Sequence, residues 1–337
     1  MRILLFLGDF GMPTLSALLA SPHRPVCAVV ATATGAPTGR TPGEWIRARI
    51  RPWLWPGSPA PLPRDFRPWG ASTILERAGI PHVKAVGLDA PDLVGLVETH
   101  HAELLLSVGY PKILPPPVLA APPRGGLNVH PSLLPRYRGP SPVFWQVASG
   151  ETQTGVTVHR LTASPDEGPI LSQVETGIGA EETAGTLFLR LARLAASLLV
   201  ETLGRLEAGA IAERAQDPAA ASFQRRFRDE DSLLDWSRPA EDLARLVRAC
   251  NPFPGARAFL PSGDCTRIWR ARVASGPASG RPGEIVALRH SNFDVATDAG
   301  LLRVSTATSD RGHRFPGWGR PWPALRSGAV FTKGGAA

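Results

Sequence analysis

Short apolar segments alternate with helical patterns through the first half of the chain, and this alternation limits the possible folds more than any other feature. Helical patterns cover residues 14–19 and 181–206, and the second has leucines at helical spacing. Strand patterns cover residues 2–7, 26–31, 104–108, 127–130, 154–160 and 170–175. Strands that alternate with helices form a mostly parallel sheet with helices on both faces. We therefore predict a Rossmann-like α/β domain over residues 1–215.

The turn after the first predicted strand narrows the ligands that such a sheet can bind. It contains Gly8 and Gly11 but lacks the Gly-x-Gly-x-x-Gly fingerprint. In that fingerprint the glycines let the backbone approach the pyrophosphate of a dinucleotide. The sequence therefore predicts a Rossmann-like sheet without this kind of NAD site.

A change of composition marks a second, smaller region. An alanine-rich segment predicts a linker at residues 216–221. The β-rich patterns beyond it lie at residues 266–273, 283–288, 293–297 and 301–305. They predict a small barrel over residues 222–308. Residues 309–337 are rich in Gly, Pro, Arg and Trp, and no structure is predicted for this tail.

One helix is predicted ahead of that barrel. Ser237 precedes Pro239, which is typical of a helix that starts with a serine N-cap and a proline in its first turn. The run Asn251-Pro252-Phe253-Pro254-Gly255 predicts the end of this helix, because proline and glycine interrupt helical hydrogen bonding.

The composition excludes several classes of protein. A hydrophobic content of 43% with 20% charged residues is typical of a globular protein, and 337 residues suffice for two domains. No apolar run reaches the roughly 20 residues of a membrane span. Three widely spaced cysteines fit neither a disulfide framework nor a zinc site. These features predict a protein of the reducing cytosol without a metal and without a membrane partner.

The net charge of the chain bears on the kind of partner it binds. The net charge of +8 favours an anionic partner such as nucleic acid, because bound cations release the counterions of phosphates. Arginines far outnumber lysines, so a biased codon pool also accounts for part of the basic character.

Asn128 and His130 form an Asn-x-His pattern at the end of a predicted strand, and Asp166 follows 38 positions after Asn128. An amide, an imidazole and a carboxylate can together hold a carbonyl oxygen, stabilise the charge that develops on it and accept the proton of an attacking amine. This is acyl transfer without a covalent enzyme nucleophile. An isolated Asn-x-His is more often a buried, hydrogen-bonded histidine, so the surrounding residues decide.

The run Ser132-Leu133-Leu134-Pro135, with the Asp166-x-Gly168 pattern downstream, resembles the signature of formyltransferases that use 10-formyltetrahydrofolate. This family includes enzymes acting on methionyl-tRNA, glycinamide ribonucleotide and amino sugars. The resemblance continues into the second region, where it implies an OB-like C-terminal domain. The residues that carry it there are 223–226, 234–237 and 248–255.

The resemblance implies a role for each residue of the motif. Asn128 would hold the formyl oxygen, and His130 would stabilise the oxyanion as a cation or hydrogen-bond donor. Asp166 would orient His130, raise its pKa and help to take the amine proton through water. The folate co-substrate would lie against two segments of the chain. Their residues are Tyr110, Ile113, Leu114, Ser132, Leu133, Leu134 and Pro135.

The acceptor amine stays open. Arg40 follows Ala36-Pro37-Thr38-Gly39, which resembles the basic loop of tRNA formyltransferases, and residues 42–70 interleave arginines with tryptophans. Against this, residues 137–142 and 165–168 depart from the tRNA enzymes. Residues 158–161 are more similar to enzymes acting on amino sugars or amino acids. Methionyl-tRNA and a small amine, either a nucleotide-linked amino sugar or an ornithine-like amino acid, are therefore both retained.

Two other functions are compatible with parts of this pattern. Formyltetrahydrofolate hydrolase shares the trio and passes the formyl group to water, but its relatives carry a regulatory domain ahead of the first strand. A binding module without catalytic activity would tolerate loss of the trio, whereas all three residues are present. Both functions are therefore less favoured than formyl transfer to an amine.

Overall fold

A computed structural model describes residues 1–8, 11–31, 70–276, 280–316 and 322–332. Its first sheet has seven strands in the order β3-β2-β1-β4-β5-β6-β7. The strands are β1 (Ile3–Leu7), β2 (Pro25–Val30), β3 (His82–Lys84), β4 (Leu104–Val108), β5 (Gly126–His130), β6 (Gln153–Arg160) and β7 (Ile170–Gly177). Neighbours from β3 to β5 are parallel, whereas β6 is antiparallel to both β5 and β7. The predicted mostly parallel sheet is confirmed.

Helices cover both faces of this sheet, which explains why its central strands are continuous apolar runs. The helices are α1 (Met12–Leu19), α2 (Gly70–Arg77), α3 (Ala90–Thr99), α4 (Pro116–Ala120), α5 (Pro142–Ser149) and α6 (Ala184–Glu207). Along β1, Leu5 packs into the core on one face, and Leu4 and Phe6 pack into the core on the other. Among the described residues, no helix combines the length and the apolar character that crossing a membrane requires.

The α6 helix begins three residues later than the sequence pattern predicts. Thr183 is its N-cap, and the Thr183 side chain accepts a hydrogen bond from the backbone N–H of Thr186 at 3.2 Å. This capping satisfies one of the unpaired amides at the helix start, so the helix begins at Ala184 rather than at Glu181.

The second sheet is antiparallel and has six strands. They are β8 (Ala256–Phe259), β9 (Cys265–Ala274), β10 (Ile285–Leu288), β11 (Phe293–Ala296), β12 (Leu301–Ser309) and β13 (Arg314–Phe315). The predicted β-rich second region is confirmed, and its sheet is separate from the α/β sheet.

The helix of this region, α7 (Ala240–Ala249), corrects one prediction. Its N-cap is Pro239, whereas Ser237 lies before the helix and donates its hydroxyl to Asp235. The backbone N–H of Ala240 bonds to the carbonyl of Ala299, so this amide finds its partner in the neighbouring strand connection and not in a serine cap. The helix ends immediately before the predicted proline-rich stop.

Part of the tail joins the second sheet. Val330 pairs with Glu284 beside β10, and Thr332 pairs with Phe259 of β8. The segment therefore bridges the two edges of the sheet, as the predicted barrel requires. Phe331 between them is buried and stacks on Trp236. The domain limits at residues 215, 222 and 308 stay predictions.

Candidate active site

The residues of the predicted trio reach one place at the carboxyl end of β5. Asn128 and His130 are two residues apart on this strand, so both side chains point to the same face. Asp166 comes from the loop between β6 and β7, where its backbone is left-handed at φ 58. This conformation is costly for a residue with a side chain and has to be stabilised by the surroundings.

One carboxylate oxygen of Asp166 is the centre of the arrangement. Its Oδ1 atom lies 3.3 Å from Asn128 Nδ2, 3.6 Å from His130 Nδ1 and 3.5 Å from His159 Nε2. Its Oδ2 atom accepts a hydrogen bond of 2.8 Å from the backbone N–H of Gly139. The structure thus brings Asn128, His130 and Asp166 together.

Both ring nitrogens of His130 face hydrogen-bond acceptors. Nε2 lies 2.8 Å from the carbonyl oxygen of Tyr137, so this nitrogen carries a hydrogen and donates it. A neutral imidazole has only one N–H, which leaves the Nδ1 lone pair facing the carboxylate of Asp166. The His130–Asp166 pair can therefore take up one more proton without any change of geometry.

The electrostatics of the pair differ in one respect from the prediction. Burial is the largest influence on the pKa of His130 and lowers it, although Asp166 and the Tyr137 carbonyl act to raise it. The net pKa lies below the ordinary value of 6.5, so His130 is neutral at pH 7. The predicted effect of Asp166 is present, but the cost of placing a charge in the buried site outweighs it.

Asp166 stays ionised although it is mostly buried. Burial acts to raise the pKa of this carboxyl, but the His130 and His159 rings and the Gly139 N–H together hold it well below its usual range. The hydrogen bonds from the Gly139 N–H and the Asn128 amide favour the charged form, and positive charge on either ring favours it further. The site thus contains a buried negative charge next to a neutral imidazole.

His159 belongs to this site, although the sequence indicated no partner for it. Its Nδ1 donates to the carbonyl of Arg160 at 2.8 Å, so its Nε2 can accept a hydrogen from Asn128 Nδ2 at 3.2 Å. The antiparallel register of β5 and β6 places His159 directly opposite Asn128. Pairing these two predicted strands in register would have found this contact, because cross-strand neighbours share one face.

Both N–H groups of the Asn128 amide are therefore engaged within the protein, one by Asp166 and one by His159. The donor–acceptor distances of these two hydrogen bonds are 3.2 and 3.3 Å, at the long end of the normal range. An incoming carbonyl oxygen can replace one of these partners at small net cost, since one hydrogen bond is exchanged for another.

The residues predicted for folate lie in two different environments. Leu114, Ser132 and Leu134 are buried, and the Ser132 hydroxyl donates to the carbonyl of Arg136 at 2.8 Å. Leu133 and Pro135 are half-buried. Tyr110 is also half-buried with its ring edge against Phe6, whereas Ile113 is 70% exposed. The accessible members are thus Tyr110, Ile113, Leu133 and Pro135, and the buried members support their loops.

Most residues predicted to bind the acceptor lie outside the part of the chain that the structure describes. Arg40 and residues 42–69 lie outside the described residues, and only Gly70 of that insertion is described, at the start of α2.

Comparison with known proteins identifies the family. Residues 71–203 match the formyl transferase family, and residues 226–317 match the formyl transferase C-terminal domain. The methionyl-tRNA formyltransferase of Citrifermentans bemidjiense is 33% identical over 318 residues, which cover 94% of this chain and 91% of that protein.

Two solved structures share the fold. HypX from Aquifex aeolicus in complex with tetrahydrofolic acid has a TM-score of 0.59 at 16% identity, over 94% of this chain and 46% of HypX. An N-formyltransferase from Helicobacter canadensis in complex with folinic acid and dTDP-3-aminofucose has a TM-score of 0.60 at 13% identity, over 90% and 99% of the two chains. With both domain matches and the relative of 33% identity, the chain belongs to the formyl transferase family.

Proposed function

We propose that the protein transfers the formyl group of 10-formyltetrahydrofolate to the amine of methionyl-tRNA. The observation that carries this proposal is the convergence of Asn128 and His130 on the ionised carboxylate of Asp166. Amide N–H groups suit a developing oxyanion, and a neutral imidazole beside a carboxylate suits the proton that the amine must lose.

The steps follow from this geometry. The amine nitrogen attacks the formyl carbon, and the electrons of the carbonyl bond move to its oxygen, which Asn128 binds with an N–H. The amine proton passes to His130 Nδ1, where Asp166 stabilises the imidazolium. When the intermediate collapses, the bond from the formyl carbon to the folate nitrogen breaks, and that nitrogen receives the proton. A role of His130 as oxyanion donor fits less well, since its Nε2–H is already bound by Tyr137.

Methionyl-tRNA is the preferred acceptor for two reasons. The relative with 33% identity over most of both chains is a methionyl-tRNA formyltransferase. In addition, Phe223 is 65% exposed, and its ring lies 3.0 Å from the position of a Cβ added at Gly139, the residue that binds Asp166. Arg225, Arg226 and Arg228 are exposed just beyond it. An exposed aromatic ring beside cations suits an unstacked base and its phosphates.

A nucleotide-linked amino sugar is the second candidate. The structure from Helicobacter canadensis was solved with dTDP-3-aminofucose and shares the fold. Residues 158–161, with His159 beside Asn128, resemble the enzymes that act on amino sugars or amino acids.

The acceptor can be decided with the purified protein and 10-formyltetrahydrofolate. We expect release of tetrahydrofolate together with N-formylmethionine when charged initiator tRNA is supplied, and little release with uncharged tRNA. Nucleotide-linked amino sugars and ornithine-like amines are tested in parallel. Turnover with one of these amines alone would replace methionyl-tRNA as the acceptor. Formate that appears without any amine would indicate a hydrolase and contradict the proposal.

Phe223→Leu tests the tRNA contact directly, because leucine keeps apolar bulk but has no aromatic face. We expect the KM for methionyl-tRNA to rise about tenfold with little change in kcat, since stacking on a base contributes ~1–3 kcal/mol. Steady-state kinetics at varied tRNA concentration measure this. The matched control is Phe253→Leu, which changes an exposed phenylalanine in the proline-rich turn after α7. An unchanged KM in Phe223→Leu would exclude the contact.

His159→Leu tests whether this residue orients Asn128. We expect kcat to fall roughly tenfold to a hundredfold, because the Asn128 amide and the Asp166 carboxylate each lose a neighbour and small misplacements are costly in catalysis. His159→Gln retains a side-chain acceptor for Asn128 and should keep most of the activity. If His159→Leu has the kcat of the wild type when equal amounts of folded protein are compared, His159 does not orient Asn128.

A further inference from the structure

The segment that connects the two sheets runs along both loops of the candidate site. On one side, Arg214 exchanges two backbone hydrogen bonds with Ile170 at the start of β7. On the other, the backbones of Ser222 and Gln224 bond to the backbone of Arg138. The connecting segment therefore lies against the loop that carries Asp166 and against the loop that carries Tyr137 and Gly139.

Gln216 joins the connecting segment to both of these loops through a single side chain, whereas the Ser222 hydroxyl binds only the N–H of Tyr137 in one of them. Its Nε2 donates to the carbonyl oxygens of Asp166 and Gly168, both at 2.7 Å. Its Oε1 accepts from Arg138 Nε at 3.1 Å and from the second Arg138 nitrogen at 2.9 Å. Both donors and both acceptor positions of this amide are thus occupied.

Beyond the bonds of the Asp166 carboxylate to Asn128 and Gly139 and an ion pair of 3.2 Å between Glu167 and Arg138, the loop of Asp166 has few other restraints. Residues 162–165 and Glu167 are exposed, and the hydrogen bonds within this loop are those of Thr162 and Glu167 with the carbonyl of Ser164. Asp166 itself has the left-handed backbone described above, which has to be stabilised from outside the loop. Gln216 binds the carbonyl of this same residue, about 50 positions away in the chain.

Gln216 also connects the two partners of His130. Asp166 faces His130 Nδ1, and the carbonyl of Tyr137, the neighbour of Arg138, accepts from His130 Nε2. Because Gln216 binds both Arg138 and the Asp166 carbonyl, its amide spans the two loops that hold the ring at its two ends.

We propose that Gln216 is a positioning residue that keeps the Asp166 carboxylate against Asn128 and His130, an inference that rests on the proposed formyl transfer. The residue touches no reacting atom and acts through the loop that it binds. The connecting segment is then a structural part of the catalytic centre and not a passive tether between the sheets.

Gln216→Met tests this, because methionine has a similar length but cannot make the four hydrogen bonds. We expect kcat to fall roughly tenfold to a hundredfold with smaller changes of KM, since a displaced carboxylate misaligns the reacting groups. Gln216→Glu should be at least as impaired, because it loses both donors to the carbonyls of Asp166 and Gly168. Gln224→Met is the matched control: this glutamine lies in the same segment, and its hydrogen bonds within the described residues are made by its backbone.

A second measurement separates positioning from a general loss of structure. The titration of His130 by NMR responds to Asp166 and His159, the titratable groups that face its ring. Asp166 acts to raise the pKa of His130, so a displaced Asp166 loop should move the titration of His130 to lower pH in Gln216→Met. Simple destabilisation would lower the melting temperature and leave this titration unchanged.

The outcomes are distinct. A reduced kcat with a shifted His130 titration and an unaffected Gln224→Met supports the inference. Wild-type kcat in Gln216→Met, or an equal loss in Gln224→Met, would overturn it. If the wild-type protein transfers no formyl group to any amine, the proposed function fails, and the NMR titration still decides whether Gln216 positions Asp166.

Discussion

We expect Asn128→Ala to lower kcat for formyl transfer about a hundredfold to a thousandfold, the usual effect of removing one oxyanion donor. Asn128 is the side chain of the site with N–H groups that a carbonyl oxygen can reach by replacing a long internal hydrogen bond. The interaction strengthens as charge develops on the oxygen, so the loss should appear in kcat more than in KM. Initial rates at saturating folate and acceptor measure it.

The control for Asn128→Ala is Asn292→Ala. Asn292 is a half-buried asparagine between β10 and β11 in the second sheet, far along the chain from the site. Both variants should remain folded by circular dichroism, since Asn128 is half-buried and its truncation leaves no large cavity. Turnover of Asn128→Ala at the wild-type rate would remove Asn128 from the mechanism.

The second large effect concerns the His130–Asp166 pair. We expect His130→Ala and Asp166→Asn each to lower kcat about a hundredfold to ten-thousandfold, the range found for groups that transfer a proton in the transition state. Because Asp166 acts on the proton through His130, the double variant should be little slower than the slower single variant. Effects that multiply in the double variant would show that the two residues act independently.

The pH dependence has a definite sign. Burial lowers the pKa of His130 below 6.5, and the neutral ring is the form that accepts the amine proton. The rate should therefore fall at acidic pH, as His130 becomes protonated. Asp166→Asn removes a charge that acts to raise this pKa, so the acidic limb should move to still lower pH. The wild type and Asp166→Asn are compared with the same acceptor. The titration of the acceptor amine then affects both pH profiles equally, and the difference between them reports on His130.

The predicted strands show what periodicity can establish. The apolar runs of β1, β4 and β5 and the long helix α6 were predicted within a few residues, because burial on both faces or on one helical stripe leaves a clear pattern. The short strand β3 and the helices α2 to α5 were not predicted. Their patterns are short, and α4 has only five residues.

The N-cap of α7 shows where local rules fail. Ser237 and Pro239 have the residue types of a helix start, yet Ser237 bonds to Asp235 and Ala240 finds its partner in Ala299. A tertiary hydrogen bond replaced the local cap. The same holds for residues 330–332, whose sequence gives no strand pattern but which pair with both edges of the second sheet.

The sequence by itself determined the α/β sheet and the β-rich second region, because periodic burial leaves a local pattern of apolar residues. It also determined Asn128, His130 and Asp166 as a trio, because their motif has a fixed spacing in the sequence. Only the tertiary structure decided that His159 and Gln216 join that trio, that His130 faces two acceptors, and that burial lowers its pKa. These features depend on strand register, on the path of a connecting segment and on the removal of water. Such properties arise when distant residues pack together, and no local pattern encodes them.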